Sequence, residues 1–195
     1  MLTTLSSLKG DKHNIMHYGK IIYCDVANGL GCRTSLFVSG CRHHCKNCFN
    51  QVTWNFDYGD PYTEDTKEHI IKSIDMPHIQ GLTILGGEPL EPENQTAVLD
   101  LCKTIKDHLP EKTIWIYSGY TFEQITGNDD TFKHISTPES IANCKEILNN
   151  IDVLVDGPFV QDLYDITLKY RGSSNQRIID VKKTLTENSV CLYLK

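Results

Sequence analysis

The stretch Ser35-Leu36-Phe37-Val38-Ser39-Gly40-Cys41-Arg42-His43-His44-Cys45-Lys46-Asn47-Cys48-Phe49 runs an apolar strand into a loop with C-x3-C-x2-C spacing. Ser35–Ser39 is short, apolar and bounded by small residues, which is the pattern of a buried strand. Four thiolates would close the coordination of a zinc ion or an iron–sulfur cubane. Three thiolates in one short loop, Cys41, Cys45 and Cys48, can hold three irons of a 4Fe–4S cluster and leave the fourth iron open to a substrate. The loop is too short for its cysteines to reach disulfide geometry easily. The plain alternative is a structural zinc site, with Cys32, His43 or His44 as fourth ligand. On the cluster reading, Arg42, His43, His44 and Lys46 place positive charge and N–H donors around an anion and tune its potential.

Outward from the loop, short apolar strands alternate with helical patterns. Lys20–Cys24, Gly81–Leu85, Thr113–Tyr117, Asp152–Val155 and Arg177–Val181 read as strands, and Glu64–Ile74 and Ile141–Leu148 as helices. Pro92 suits the first turn of another helix. There Ala97, Leu101, Ile105 and Leu109 recur every four residues, with Val98 and Cys102 alongside, as one buried face. Strand–helix alternation predicts parallel strands with covering helices, and such sheets carry their sites at the carboxyl ends of the strands. Cys41, Gly86, Ser118 and Asp156 each follow a strand. Too few units are present for an eight-fold barrel, so the expectation is an α/β fold of incomplete, TIM-like barrel form, with 1–195 as a single domain.

At 195 residues the chain can bury a real core. Its net charge of −6 offers no basic footprint, so no nucleic-acid partner is expected. No apolar run approaches a membrane span. Residues 1–19 are polar and lack the apolar core of a signal peptide, which points to a cytoplasmic protein and an amino-terminal extension. Without an export signal, the eight cysteines suit a metal site better than a disulfide framework.

Gly86-Gly87-Glu88-Pro89 lies between a strand and a helix. Two glycines let the backbone approach a ligand closely, and Glu88 with exposed carbonyls can accept from an ammonium group. Alone, this is an ordinary turn. Together with C-x3-C-x2-C, it resembles the radical S-adenosylmethionine superfamily. Asn28-Gly29-Leu30-Gly31, Leu36–Cys41, Cys48-Phe49-Asn50 with Trp54, Tyr117-Ser118-Gly119-Tyr120, Val153–Phe159 and Arg171–Arg177 narrow the resemblance to activating proteins of anaerobic ribonucleoside-triphosphate reductases. These matches run from about Asn28 to Asp180.

The resemblance implies an enzyme that cleaves S-adenosyl-L-methionine reductively at a 4Fe–4S cluster. It then installs a glycyl radical on the carboxyl-terminal glycine loop of the large reductase subunit. A flavodoxin- or ferredoxin-type electron donor is implied too, as is a wide lateral opening for the partner's peptide. Carried over by position, Cys41, Cys45 and Cys48 match the cluster ligands. Asn47, Cys48 and Phe49 match the S-adenosylmethionine contact, with Phe49 packing on adenine, and Gly86, Gly87, Glu88 and Pro89 match the turn at the methionine end. Ser118 and Asp156 are further cofactor candidates, although Asp156 can equally cap a turn. Arg171–Arg177 either holds the partner or is a hydrogen-bonded loop. The chain departs from the family at Asn47, where glycine is usual, and Asp129–Ser140 reads as an insertion remote from every motif. Cys24, Cys102, Cys144 and Cys191 read as buried small hydrophobes. His13, His17, His69, His78, His108 and His134 read as isolated.

Overall fold

The computed structural model describes residues 15–194. Most of the expected extension, His13 included, lies outside the described residues. Eight strands form one sheet: β1 (His17–Asp25), β2 (Arg33–Val38), β3 (Asp60–Pro61), β4 (Gly81–Gly86), β5 (Thr113–Tyr117), β6 (Val153–Asp156), β7 (Arg177–Asp180) and β8 (Leu192–Leu194). Their order is β3-β1-β2-β4-β5-β6-β7-β8. The helices are α1 (Glu64–Ile74), α2 (Pro92–His108), α3 (Phe122–Ile125), α4 (Pro138–Asn149) and α5 (Val181–Glu187).

The sheet is mixed, which corrects the expectation of parallel strands throughout. β2, β4, β5 and β6 run parallel. β1 and β3 on one flank, and β7 and β8 on the other, are antiparallel. The reason lies in the connections. A parallel neighbour requires a crossover, and α1, α2 and α4 supply those. Residues 26–32 join β1 to β2 with no helix, and 157–176 join β6 to β7 through a single 3-10 turn at Gln161–Leu163. Both are hairpin-like returns.

One face of the sheet carries the helices. Leu36, Val38, Leu82, Ile84, Ile114, Ile116 and Leu154 alternate along the strands onto that face and are fully buried. Val98, Leu101, Cys102 and Ile105 of α2 meet them, so Ala97 and Leu109 flank the stripe rather than lead it. Thr63 caps α1 reciprocally with Thr66, and Thr137 caps α4 ahead of Pro138. The opposite face is thinner, with Trp115, Val153, Val155 and Ile178 as its core.

At the amino edge of the parallel strands, Arg33 is buried against Trp115. Its guanidinium donates to Thr83 Oγ1, Thr113 Oγ1 and the carbonyls of Leu82 and Thr113, at 2.7–2.9 Å. Burial lowers its pKa to about 10, so it stays charged at neutral pH while it ties three strands together. No helix among the described residues is long and apolar enough to cross a membrane.

Candidate active site

The cysteine loop leaves the carboxyl end of β2 through Gly40, whose φ of +92° needs glycine. The following turn holds it in place: Gly40 N donates to Thr53 O at 2.8 Å and Cys41 N to Trp54 O at 3.3 Å. Cys48 N returns to Cys45 O at 3.1 Å. That tight return puts His44 and Asn47 in the left-handed region, at φ of +47° and +58°. Asparagine tolerates this backbone, which accounts physically for Asn47 standing where the family usually has glycine.

One cysteine sulfur of the loop receives a backbone N–H. Asn50 N donates to Cys48 Sγ at 3.4 Å. The backbone of His43 and that of Phe159 favour the thiolate at Cys41 and Cys45, respectively. In the metal-free chain, burial first and the Glu88 carboxylate second push the Cys41 thiol up to about 12. Burial also raises that of Cys45.

The three cysteines share a cavity of about 550 Å³, within the range of small-molecule sites. Asn47, Phe49, Gly86, Gly87, Glu88 and Ser118 line it as well. Phe49 is 87% exposed at its edge. Pro89 is buried beneath the turn, and neither Pro89 nor Asp156 lines the cavity. The cysteines therefore fit a cluster, as soft donors gathered at one cavity with a backbone amide donated to Cys48 Sγ. Among the described residues, no three His, Cys, Asp or Glu side chains converge on a single ion position. Cys32 precedes β2 and Cys41 follows it, so a six-residue strand separates Cys32 from the cysteine loop. That distance removes Cys32 as fourth ligand.

The glycines of the β4 turn serve the protein's own packing. A Cβ on Gly86 would meet Phe37 Cα and Val38 O at 2.8 Å, and one on Gly87 would meet Gly40 O at 2.6 Å. The turn thus nests under the cysteine loop, with Gly87 N donating to Val38 O and Glu88 N to Gly40 O, both at 2.7 Å.

Glu88 is 1% exposed and its carboxylate is fully engaged. Oε1 accepts from Leu90 N and Ser118 Oγ, each at 2.9 Å, and Oε2 from Gly119 N at 2.7 Å and His43 Nε2 at 3.1 Å. Burial opposes charge on His43, but the hydrogen bond and charge of Glu88 raise its pKa above the ordinary value. Gly119 leaves room for the ring, since a Cβ there would lie 2.5 Å from it.

Two elements differ from the sequence expectations. Two cations of the loop are engaged by carboxylates: Arg42 pairs with Glu91 and Glu93 at 2.6 and 2.5 Å, and His43 with Glu88. The presumed insertion does reach the motifs. Phe132 packs edge-on against His43, and His134 lies 2.7 Å from the Tyr120 hydroxyl. Tyr120 spends its proton on Glu91 Oε1 at 3.1 Å, so His134 Nε2 is the donor to Tyr120. Glu91 in turn accepts from Arg42 N at 2.9 Å. Neither Glu91 nor His134 carried a sequence signal, because residues 43 to 49 positions apart meet only in the fold.

Asp156 is 1% exposed and accepts from Arg177 and from Phe122 N at 2.7 Å, fixing the entry to α3. Arg171–Arg177 closes on itself through Arg171 Nη1 to Gln176 O at 2.8 Å, while Arg171, Gly172 and Gln176 face the cavity. The Tyr117 hydroxyl is buried at the cavity without a partner, a feature invisible in the sequence.

The family model for a 4Fe-4S single cluster domain matches residues 27–179. The anaerobic ribonucleoside-triphosphate reductase-activating protein of Vibrio cholerae is 39% identical over 165 residues, 84% of this chain and 97% of the relative. Its counterpart in Enterobacteria phage T4 is 39% identical over 163 residues, 84% of this chain and 93% of its own. That of Escherichia coli K12 is 38% identical over 163 residues, 83% and 96% of the two chains. With the cysteine loop, the Gly-Gly turn and nearly the full length of these relatives matched, the chain belongs to the family of anaerobic ribonucleoside-triphosphate reductase-activating proteins.

Proposed function

We propose that this chain cleaves S-adenosyl-L-methionine reductively at a 4Fe–4S cluster and generates a glycyl radical on the large subunit of an anaerobic ribonucleoside-triphosphate reductase. The observation that carries the reading is the set of three cysteines at one cavity beside the Gly86-Gly87 turn. When bound, the cluster and cosubstrate supply the one-electron chemistry and the hydrogen-abstracting species. The protein's share is holding, orienting and drying.

Cys41, Cys45 and Cys48 hold three irons, and the Asn50 amide stabilises negative charge on the Cys48 sulfur. Phe49, already exposed, offers a ring face to adenine beside Asn47. The Gly86–Pro89 turn receives the methionine end. Glu88 acts there as a strut: its carboxylate locks Ser118, Gly119 and His43 around the cavity. Asp156 does the same for the end of β6. On this reading the open-edged sheet is an incomplete barrel in a cytoplasmic enzyme. Its uncovered cavity side admits the glycine loop of the partner, and a flavodoxin- or ferredoxin-type protein supplies the electron. Glycine suits attack because it has no Cβ to obstruct approach.

The test is anaerobic reduction of the iron-loaded protein with S-adenosylmethionine, read as release of 5′-deoxyadenosine. It is repeated with Cys45→Ala and then with the reductase, for the glycyl radical by electron paramagnetic resonance. Wild type should cleave and the variant should not. Equal cleavage by both would refute the ligand assignment, and zinc without sulfide in the purified protein would refute the cluster.

A further inference from the structure

Tyr117 ends β5 and lines the cavity, yet its buried hydroxyl has no hydrogen-bond partner among the described residues. Side chains alternate along β5, so Tyr117 shares the thinner face of the sheet with Trp115, while Ile116 faces the helices. Burial pushes the phenol pKa up, so the hydroxyl keeps its proton and can donate. Buried side-chain polar atoms are nearly always paired in folded proteins. An unpaired one at a cavity wall points to a group that arrives from outside.

The wall around Tyr117 restricts what that group can be. Thr83 of β4 stands opposite Trp115 in the register, and its Oγ1 donates to Asn28 O at 2.7 Å. The return from β1 to β2 is thereby folded over the thinner face, and its Ala27 and Asn28 line the cavity. Tyr117 follows Trp115 on that face toward the carboxyl edge, so it stands between this return and the edge that carries the cysteine loop. The charged groups on this side are already paired. The Asp25 carboxylate accepts from Ala27 N at 2.8 Å and from Asn28 Nδ2 and Ser35 Oγ at 2.6 Å each, and Arg33 is held by the strands. Leu85 and Tyr170 complete this part of the wall. A single neutral donor on a largely apolar wall suits a peptide carbonyl. It does not suit the ammonium and carboxylate groups of an amino acid, which need charged or multiple polar partners.

We propose that Tyr117 is a positioning residue whose hydroxyl donates a hydrogen bond to a main-chain carbonyl of the partner's glycine loop. The inference deepens the function proposed above and rests on it. Glycine has no side chain to be gripped, so a segment centred on it is held through its backbone. One donor fixed at the end of a strand sets how deep that segment enters, and hence which Cα faces the edge with the cysteines. With the carbonyl in place, the phenol gains the partner that the fold itself does not give it.

The experiment compares wild type with Tyr117→Phe, which removes the hydroxyl and keeps the ring. Full-length, cluster-loaded protein is titrated anaerobically with the purified large reductase subunit in the presence of S-adenosylmethionine and reductant. The glycyl radical is read by electron paramagnetic resonance. S-adenosylmethionine binding is measured without the reductase by equilibrium dialysis, and thermal unfolding by circular dichroism. The variant should need roughly tenfold more reductase for half-maximal radical formation, as the loss of one buried hydrogen bond implies. Its S-adenosylmethionine affinity should stay within about twofold of wild type, and its unfolding temperature should be equal or higher, because the hydroxyl removed has no partner in the fold. An unchanged half-saturation point overturns the proposal. Weaker S-adenosylmethionine binding overturns it too, by assigning the hydroxyl to the cosubstrate. So does a lower unfolding temperature, which would place the hydroxyl's partner inside the fold. A wild type that forms no radical on the reductase refutes the function proposed above, and this inference falls with it; the wild-type arm alone tells the two failures apart.

Discussion

The two edges of the central sheet use charge and sulfur in different ways. At the amino edge, Arg33, Lys112 and Asp152 are closed into the protein. Lys112 donates to Met76 O and Ile79 O at 3.0 and 2.8 Å, and Asp152 accepts from Lys106, Lys182 and Ile114 N at 2.6–2.8 Å. At the carboxyl edge the same closure holds for the carboxylates of Glu88, Glu91 and Asp156, but it stops at the cavity. There the sulfurs of Cys45 and Cys48 are half-exposed and the ring of Phe49 faces solvent. A polar group whose partners are all internal supports the fold, whereas one left facing a cavity is free to meet a ligand. Glu88 lines the cavity while its carboxylate is engaged by internal donors.

That contrast can be broken from either edge. The largest effect is expected for Glu88→Gln, which puts amide hydrogens against donors and strips His43 of its partner. Breaking a buried pair costs about 3–5 kcal/mol, read from chemical denaturation. A cost under 1 kcal/mol would mean that Glu88 is not a strut. Arg33→Met should follow at about 2–4 kcal/mol, because two carbonyls and two hydroxyls lose their donor in the sheet interior.

Asp152→Asn is expected to cost about 1.5–3 kcal/mol, as hydrogen bonds to charged groups do. It also carries a pH signature. Burial works against its charge, but Lys106 and Lys182 outweigh that and hold the folded carboxyl below its ordinary 3.8. Its contribution is therefore present at neutral pH and is lost as pH falls below about 4. Stability curves of wild type and variant should converge in acid; parallel curves would count against the assignment.

The smallest stability effects belong to the open side of the cavity. Cys45→Ala should lose the cluster's iron and sulfide while changing the stability of the metal-free chain by no more than ~1 kcal/mol. Phe49→Ala should stay within ~0.5 kcal/mol, since the residue is 87% exposed, and should weaken S-adenosylmethionine binding in equilibrium dialysis. A large loss of stability at either position would erase the distinction between the two edges.

Much of the framework is legible in the sequence because it is local. The stripe of α2, the strand at Thr113–Tyr117 and the spacing of Cys41, Cys45 and Cys48 are properties of consecutive residues, set by the helical and strand periods and by what thiolates bind. Direction and partnership are not. The antiparallel flanks depend on which connections lack a helix, and β3 is two residues of a sheet edge with no pattern of its own. His134 becomes a neighbour of Glu91 only because the segment before α4 folds back over Tyr120.

By itself the sequence determined the α/β class, the cysteine loop at a strand end and the family. Tertiary structure alone decided that Gly86 and Gly87 are needed for backbone against backbone, and that Arg42 and His43 serve carboxylates. The physical reason is that a side chain's chemistry is written in its residue type. Its availability depends on which donors and acceptors, distant along the chain, arrive to satisfy it when the core closes.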